Sequence, residues 1–193
     1  GDDYLDAVRC PAGAACTPAN ASSTDRFVVL KYANQSARLY GIDLSGRMPL
    51  ANTGAGAFGL RGLVSYTNGR NRDTGDDLYN IMPLNAKLTL SHKLGGWDNA
   101  VELVGVKAKD KVSDVRNEIK TSGYSLVHLR ASYSWRQARV DFGVENLFDR
   151  RYELPLGGAY VAQGTTMSIN GIPWGIAVPG MGRSFYTGVT LKF

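Results

Sequence analysis

The chain has 193 residues, 44% hydrophobic and only 20% charged, with 23 glycines, 10 tyrosines and a formal charge of +5. This length suits one domain with a sizeable core or part of a larger one, and low charge with ample apolar content excludes wholesale disorder. No apolar run reaches the ~18 residues of a helical membrane span, and no basic-then-apolar leader follows Gly1, so neither a membrane helix nor a signal peptide is expected.

Basic residues are scattered singly between apolar ones, with Arg150 and Arg151 the sole adjacent pair. A nucleic-acid binder concentrates its charge in one patch or helix, so no nucleic-acid partner is expected.

A first strand is expected over Tyr4–Arg9. Cys10 and Cys16 follow in a segment rich in Pro, Ala, Asn and Ser. Their spacing matches neither a zinc knuckle nor a redox CxxC, and a local disulfide is the first reading. Two unrelated thiols or half of a metal site are the alternatives. A second extended stretch begins at Phe27.

From Leu39 onward the residues alternate, and period two gives each run one apolar and one mixed face. Tyr40, Ile42 and Leu44 oppose Gly41, Asp43, Ser45 and Arg47. Phe58, Leu60, Val64 and Tyr66 oppose Gly59, Arg61, Ser65 and Thr67, with Leu63 an exception on the mixed side. Leu88, Leu90 and Leu94 oppose Lys87, Thr89, Ser91 and Lys93, which places His92 on the apolar face. Val101 and Leu103 oppose Glu102, although Val104 and Val106 blur that run. Val127, Leu129, Ala131, Tyr133 and Trp135 oppose His128, Arg130, Ser132 and Ser134, with Ser125 read into the polar row and Leu126 interrupting it. Val140, Phe142 and Val144 oppose Arg139, Asp141, Gly143 and Glu145, and a final run alternates from Phe185 to Phe193. Helical spacing is sustained in none of them. About eight strands result.

The breaks alternate in size. Short ones fall near 50–57, 95–96 and 136–137; long ones near 10–25, 68–83, 109–122 and 149–183. Short turns on one rim with long loops on the other characterise a membrane β-barrel. Several runs also approach the roughly ten residues that a tilted strand needs to cross the hydrocarbon. Periodicity alone fits equally a soluble sandwich with its apolar face inward. Aromatic residues near run ends, namely Tyr66, Tyr133, Trp135, Phe185 and Phe193, favour the barrel, because amphipathic rings settle at the membrane boundary.

Three segments resemble one family. Val144-Glu145-Asn146-Leu147-Phe148-Asp149-Arg150-Arg151-Tyr152 is similar to the V-E-N-L-F-D-x-x-Y segment near the end of TonB-dependent outer-membrane receptors. The stretch from Gly182 to Phe193 resembles their closing strand with its terminal aromatic. Ala37-Arg38-Leu39-Tyr40-Gly41-Ile42-Asp43-Leu44 resembles their A-R-x-x-G-x-E-x strand, with Asp43 in place of the usual glutamate. The three occur in family order, and the resemblance covers nearly the whole chain.

The resemblance implies an all-β fold: an antiparallel transmembrane β-barrel in the bacterial outer membrane, about eight strands of a 22-stranded whole. It implies import of a scarce metal chelate driven by TonB–ExbB–ExbD, with an iron–siderophore complex the leading substrate and copper, zinc, haem or cobalamin the alternatives. A passive porin or small structural barrel, and a soluble β-sandwich binding module, are the readings from other classes. Residues 1–193 are read as the C-terminal third or so, with plug and TonB box lying elsewhere. Expected partners are the remaining barrel and plug, TonB–ExbB–ExbD, outer-membrane lipid and lipopolysaccharide, and the small chelate.

No catalytic constellation is present: His92 and His128 lie in different runs, and there is no HExxH, nucleophile elbow or Gly-x-Gly-x-x-Gly after a strand. Neither an enzyme nor a resident cofactor is expected. The loop at about 149–182 is the ligand-capture candidate, through Tyr160, Gln163, Met167, Asn170 and Trp174, a mixed aromatic–polar set suited to a bulky chelate. Loop-on-loop packing is the bland reading of the same residues. Asp43, Arg47, Arg61, Arg130, Arg139, Asp141 and Glu145 are expected to line the lumen, either bonding wall to wall and wall to plug or flanking an anionic path. Asn146 is expected to hold a strand-to-loop transition with Phe148 packed beside it. Asp73, Asp76 and Asp77 read as an exposed polar loop, with calcium binding the lesser alternative.

Overall fold

The computed structural model describes residues 4–9, 30–160 and 175–192. Seven strands form one antiparallel sheet: β3 (Ala37–Thr53), β4 (Gly56–Asn71), β5 (Asn85–Leu94), β6 (Trp97–Val106), β7 (Tyr124–Ser134), β8 (Ala138–Glu145) and β11 (Ser184–Leu191). Each pairs with its neighbour in sequence, so the sheet is a meander with β3 and β11 at its edges. A separate hairpin-like pair joins β1 (Tyr4–Arg9) to β2 (Leu30–Gln35), and β9 (Ala159–Tyr160) pairs with β10 (Ile176–Ala177). About eight strands are expected, counting Tyr4–Arg9 and the stretch from Phe27; the structure puts seven in the main sheet and pairs those two apart from it. The stretch after Phe27 yields β2, which pairs with β1 outside the main sheet and is parted from β3 only at Ser36.

The loops sort by size as the sequence implies. Residues 54–55, 95–96 and 135–137 turn the chain at one end of the sheet, while 72–84, 107–123 and 146–183 connect strands at the other. Gly56 (φ 120°) and Gly95 (φ 57°) sit in the tight turns, where a side chain would be strained. A β-bulge interrupts β3 between Pro49 and Ala51, where proline has no N–H to give the ladder.

Register fixes the two faces. One carries Ile42, Leu44, Leu60, Val64, Leu88, Leu90, Val101, Leu103, Leu129, Val140, Phe142 and Val189. These are exposed or half-buried, and Phe142, Val189 and Leu191 keep 49%, 67% and 58% of their surface open. A soluble domain rarely leaves so continuous an apolar face uncovered, and none of the described elements covers it. Rings flank the band. Phe58, Trp97, Tyr133 and Trp135 stand by the short turns, with Tyr133 in edge contact with Trp97 (4.9 Å between centroids) and Trp135 (4.5 Å). Tyr40, Tyr66 and Phe185 stand toward the loops. Phe58 and Tyr66 lie eight positions apart on β4, about 26 Å along the strand. At a tilt near 40° that is about 20 Å of depth, comparable with the ~25 Å apolar band of outer-membrane barrels.

The buried apolar residues are few and gather toward the loop end: Leu78, Val106, Val112, Leu126 and Ala177 among them. Val106 and Leu126 lie on the polar face, and their alternation breaks because the long loops fold over that face there. Tyr152, from the loop after β8, reaches Tyr124 at the start of β7, 4.5 Å between ring centroids. Ser125 faces the apolar side opposite Gly105, a correction to its reading as part of the polar row.

Candidate functional site

The charged face opposite the apolar band is assembled by strand register. Arg47 lies directly opposite Arg61, Arg61 opposite Thr89, Thr89 opposite Glu102 and Glu102 opposite His128. Alternation along β7 then brings in Arg130, paired in register with Gly143, and the next positions place Asp141 and Arg139 opposite Ser132 and Ser134. Asp43, opposite Ser65, and Glu145, opposite Ser184, complete the set. All seven charged residues singled out in the sequence thus share one face, spread across the sheet rather than gathered at a point.

Most of these charges have partners. The Arg130 guanidinium meets Glu102 at 3.4 Å, Arg139 meets Asp141 at 2.8 Å, and Lys93 meets Asp98 at 3.3 Å. Ser65 donates to the Asp43 carboxylate. Glu102, passed over in the sequence, also accepts from the Thr89 hydroxyl at 3.4 Å. Arg47, Arg61 and Glu145 differ: none has a side-chain hydrogen bond or ion pair among the described residues, and the two arginines stand side by side.

At the loop end a polar network ties segments distant in sequence. The Lys109 side chain is nearly inaccessible; its ammonium donates to Glu118 and to the Pro155 carbonyl at 3.0 Å. Glu118 further accepts the amides of Asn80 at 3.0 Å and Ser113 at 2.8 Å. Loops 72–84, 107–123 and 146–183 therefore meet on one ion pair, satisfied as a buried charge must be. Asp76 is not merely part of an exposed polar loop. It accepts the Ser113 hydroxyl at 2.8 Å and the Asp114 and Val115 amides at 2.9 and 3.1 Å. Asp73 accepts the Ser36 amide at 2.8 Å, and no group of three or more metal-ligating side chains occurs among the described residues. Arg116 lies between the Tyr32 and Tyr79 rings, 5.5 and 4.8 Å from their centroids, and reaches Asp6 on β1 at 3.5 Å. Asn71 also donates to Asp6, at 2.9 Å. The sequence carries no local signal for these pairings, since apart from Lys109 with Glu118 they join segments far apart in the chain.

Asn146 does what its position suggests. It adopts a left-handed φ of 50°, its amide nitrogen donates to the carbonyls of Arg150 (2.8 Å) and Met181 (3.1 Å), and its carbonyl oxygen accepts the Arg150 amide (2.8 Å). Asp149 accepts the Arg183 amide at 2.8 Å. Together they close the neck of the 146–183 loop. Phe148 departs from expectation: 74% exposed, it packs against little, because the turn aims it outward. His128 accepts the Asn146 backbone N–H through Nδ1 at 3.1 Å, and His92 sits by Phe58 with Nε2 2.8 Å from the Ala55 carbonyl oxygen, so both imidazoles serve the architecture.

Of the capture candidates, Tyr160 belongs to β9 and nothing is described of its side chain; Gln163, Met167, Asn170 and Trp174 lie outside the described residues, as do Cys10, Cys16 and Phe193.

Comparison with known proteins bears on this architecture. The family described as TonB dependent receptor-like, beta-barrel, matches residues 2–147. The chain belongs to that family. Its place is the bacterial outer membrane, among receptors rather than enzymes. The "Heme/hemopexin utilization protein C" of Haemophilus influenzae (strain 86-028NP) is 31% identical over 134 residues, covering 61% of this chain and 17% of that protein. The protein of the same name from Haemophilus influenzae strain Rd is 28% identical over 127 residues, covering 61% and 16%. Among solved structures, "Copper transporter OprC" superposes with a TM-score of 0.79 at 23% identity, covering 99% of this chain and 28% of that one, a likeness of fold. The chain thus spans under a fifth of the length of the curated relatives.

Proposed function

We propose that residues 1–193 form the C-terminal part of a TonB-dependent importer, about a third of a 22-stranded barrel whose plug and TonB box lie in the rest of the receptor. The carrying observation is the inversion of the sheet: its apolar face lies open between two rows of aromatic rings, and its charged face is opposed to it. Greasy side to lipid and charges to an interior space is the arrangement of a membrane barrel, and it counts against the sandwich reading. Family membership weighs against a passive porin.

The names of the similar proteins support haem first and copper second, ahead of the iron–siderophore expected from the resemblance. The external loops capture the ligand, with Tyr160, Gln163, Met167, Asn170 and Trp174 on the 149–182 loop as the proposed contacts. TonB–ExbB–ExbD then acts on the plug to open a path along the charged face, while lipid and lipopolysaccharide surround the apolar face. No bond is made or broken. Expression of the complete receptor in a haem-auxotrophic host lacking other haem receptors tests this: growth on haemin that disappears on deletion of TonB is expected. A parallel copper-accumulation assay decides the second reading, and TonB-independent growth or no uptake of either ligand overturns the proposal. Deletion of 157–182 should weaken ligand binding more than barrel assembly; unchanged affinity in an assembled deletion variant removes the capture role from this loop.

A further inference from the structure

The outer wall is complete within this chain over β4–β6, because each of these strands has both of its neighbours here and a plug in the lumen lies on the opposite face. Two adjacent rows of that wall are short of side-chain bulk. Gly46 lies opposite Gly62 in one, and Gly105 lies between Ala86 and Ser125 in the next. A groove of about 630 Å³ results, walled by Leu44, Leu60, Val64, Leu88 and Leu103. A Cβ added at Gly46 or Gly105 would meet nothing within 4 Å, so the groove is space that no neighbouring side chain fills. One row nearer the long loops, apolar residues give way to charge. Lys107, exposed and across from Leu84, continues the β6 row two positions past Gly105, about 7 Å along the strand. Tyr66 and Asn68 continue the β4 row, and Lys111 donates to the Asn68 side-chain carbonyl. These residues line a second hollow of about 220 Å³. Arg38 and Arg70, opposite one another farther out on the same face, add two more cations. Against these four stand two carboxylates, Asp77, bridged in register to Arg70, and Asp110, both bordering the hollow. The rim above the groove is therefore net cationic.

We propose that groove and rim together seat one lipopolysaccharide molecule, with Lys107 and Lys111 holding a phosphate of its headgroup and the groove taking one of its acyl chains. The long loops place this rim in the outer leaflet, and Tyr66 stands at the boundary between rim and groove. A lipid that is both acylated and anionic matches an apolar groove continuing into a cationic edge. Cations spread over the loop ends of β3, β4 and β6 suit a headgroup that bears more than one phosphate. Within hydrocarbon an apolar groove gains nothing from leaving water, so the acyl chain contributes close packing, while the charge-assisted contacts to phosphate supply the selectivity. The seat requires outer-membrane placement alone and is independent of which ligand the receptor imports.

The test uses the complete receptor, purified in detergent and stripped of lipid. It is titrated with purified lipopolysaccharide, with the same material after dephosphorylation, and with phosphatidylglycerol, and heat-dependent gel mobility verifies that each variant is assembled. Lys107→Gln/Lys111→Gln is expected to weaken lipopolysaccharide binding at least ~10-fold, to the level that the dephosphorylated form shows with wild type. Gly105→Leu, whose Cβ has room, should weaken intact and dephosphorylated lipopolysaccharide alike by several-fold, whereas Lys87→Gln on the interior face should change neither. Lipopolysaccharide affinity unchanged in the assembled double-lysine variant overturns the seat. Phosphatidylglycerol bound as tightly as lipopolysaccharide also overturns it, leaving a rim for anionic lipids in general. Receptor dimers that Gly105→Leu dissociates, with lipopolysaccharide binding intact, overturn it as well and assign the groove to a second copy.

Discussion

Asn146 is the residue whose replacement most sharply tests the account of the loop neck. It is 2% exposed, holds a left-handed backbone and makes three side-chain hydrogen bonds that tie the end of β8 to Arg150 and to Met181, shortly before β11. Asn146→Ala removes all three, at roughly 0.5–1.5 kcal/mol each, and asks alanine to hold a conformation that costs it about 1–2 kcal/mol. The sum is about 3–6 kcal/mol. Asn146→Gly loses the same bonds but adopts positive φ freely, so it should be less damaging than alanine by about 1 kcal/mol. Asn146→Asp keeps the acceptor for the Arg150 amide and loses both donations. Urea unfolding of the complete receptor in lipid vesicles, with limited proteolysis of 146–183 as a local readout, should give the order alanine, glycine, wild type from least to most stable. A glycine variant weaker than the alanine variant, or an alanine variant as protease-resistant as wild type, refutes the reasoning.

Arginine at Leu103, on the open apolar face, should cost about 2–4 kcal/mol near the bilayer midplane, whereas Ser45→Arg on the opposite face should stay within about 0.5 kcal/mol; the heat-dependent gel mobility of membrane-assembled receptor reads the contrast. Gly143 lies under the Tyr186 ring, where an added Cβ would approach the ring to 2.0 Å. Gly143→Ala is therefore expected to displace that ring at about 1–3 kcal/mol, with Gly143→Ala/Tyr186→Ser recovering most of it in urea unfolding. Lys109→Met strands the buried Glu118 carboxylate and should cost about 3–5 kcal/mol of loop stability, seen as rapid proteolysis within 107–123, while Lys109→Met/Glu118→Leu restores part of the protection.

The residue pattern alone determined the strand-forming runs, the sorting of short turns from long loops and the two-faced character of each run, because period-two alternation and glycine- or proline-marked breaks are local properties of a chain. It also placed Asp43, Arg47, Arg61, Arg130, Arg139, Asp141 and Glu145 on one row type. It could not decide which side of that row meets lipid, since inward and inverted sheets share one period. Only the tertiary structure showed the apolar side uncovered, at Phe142 and Val189 among others. It also decided which charges pair across strands, because Arg130 finds Glu102 while Arg47 meets Arg61, an outcome of register; Arg139 finds Asp141 on its own strand. Lys109 with the Pro155 carbonyl, Asp76 with Ser113 and Arg116 with Asp6 were invisible in the chain order: contacts between distant segments depend on where the strands deliver the loop ends, and no local periodicity encodes that. Leu126 and Val106 show both lessons at once, since the break in alternation was legible in the sequence and its cause, burial beneath the folded-over loops, was not.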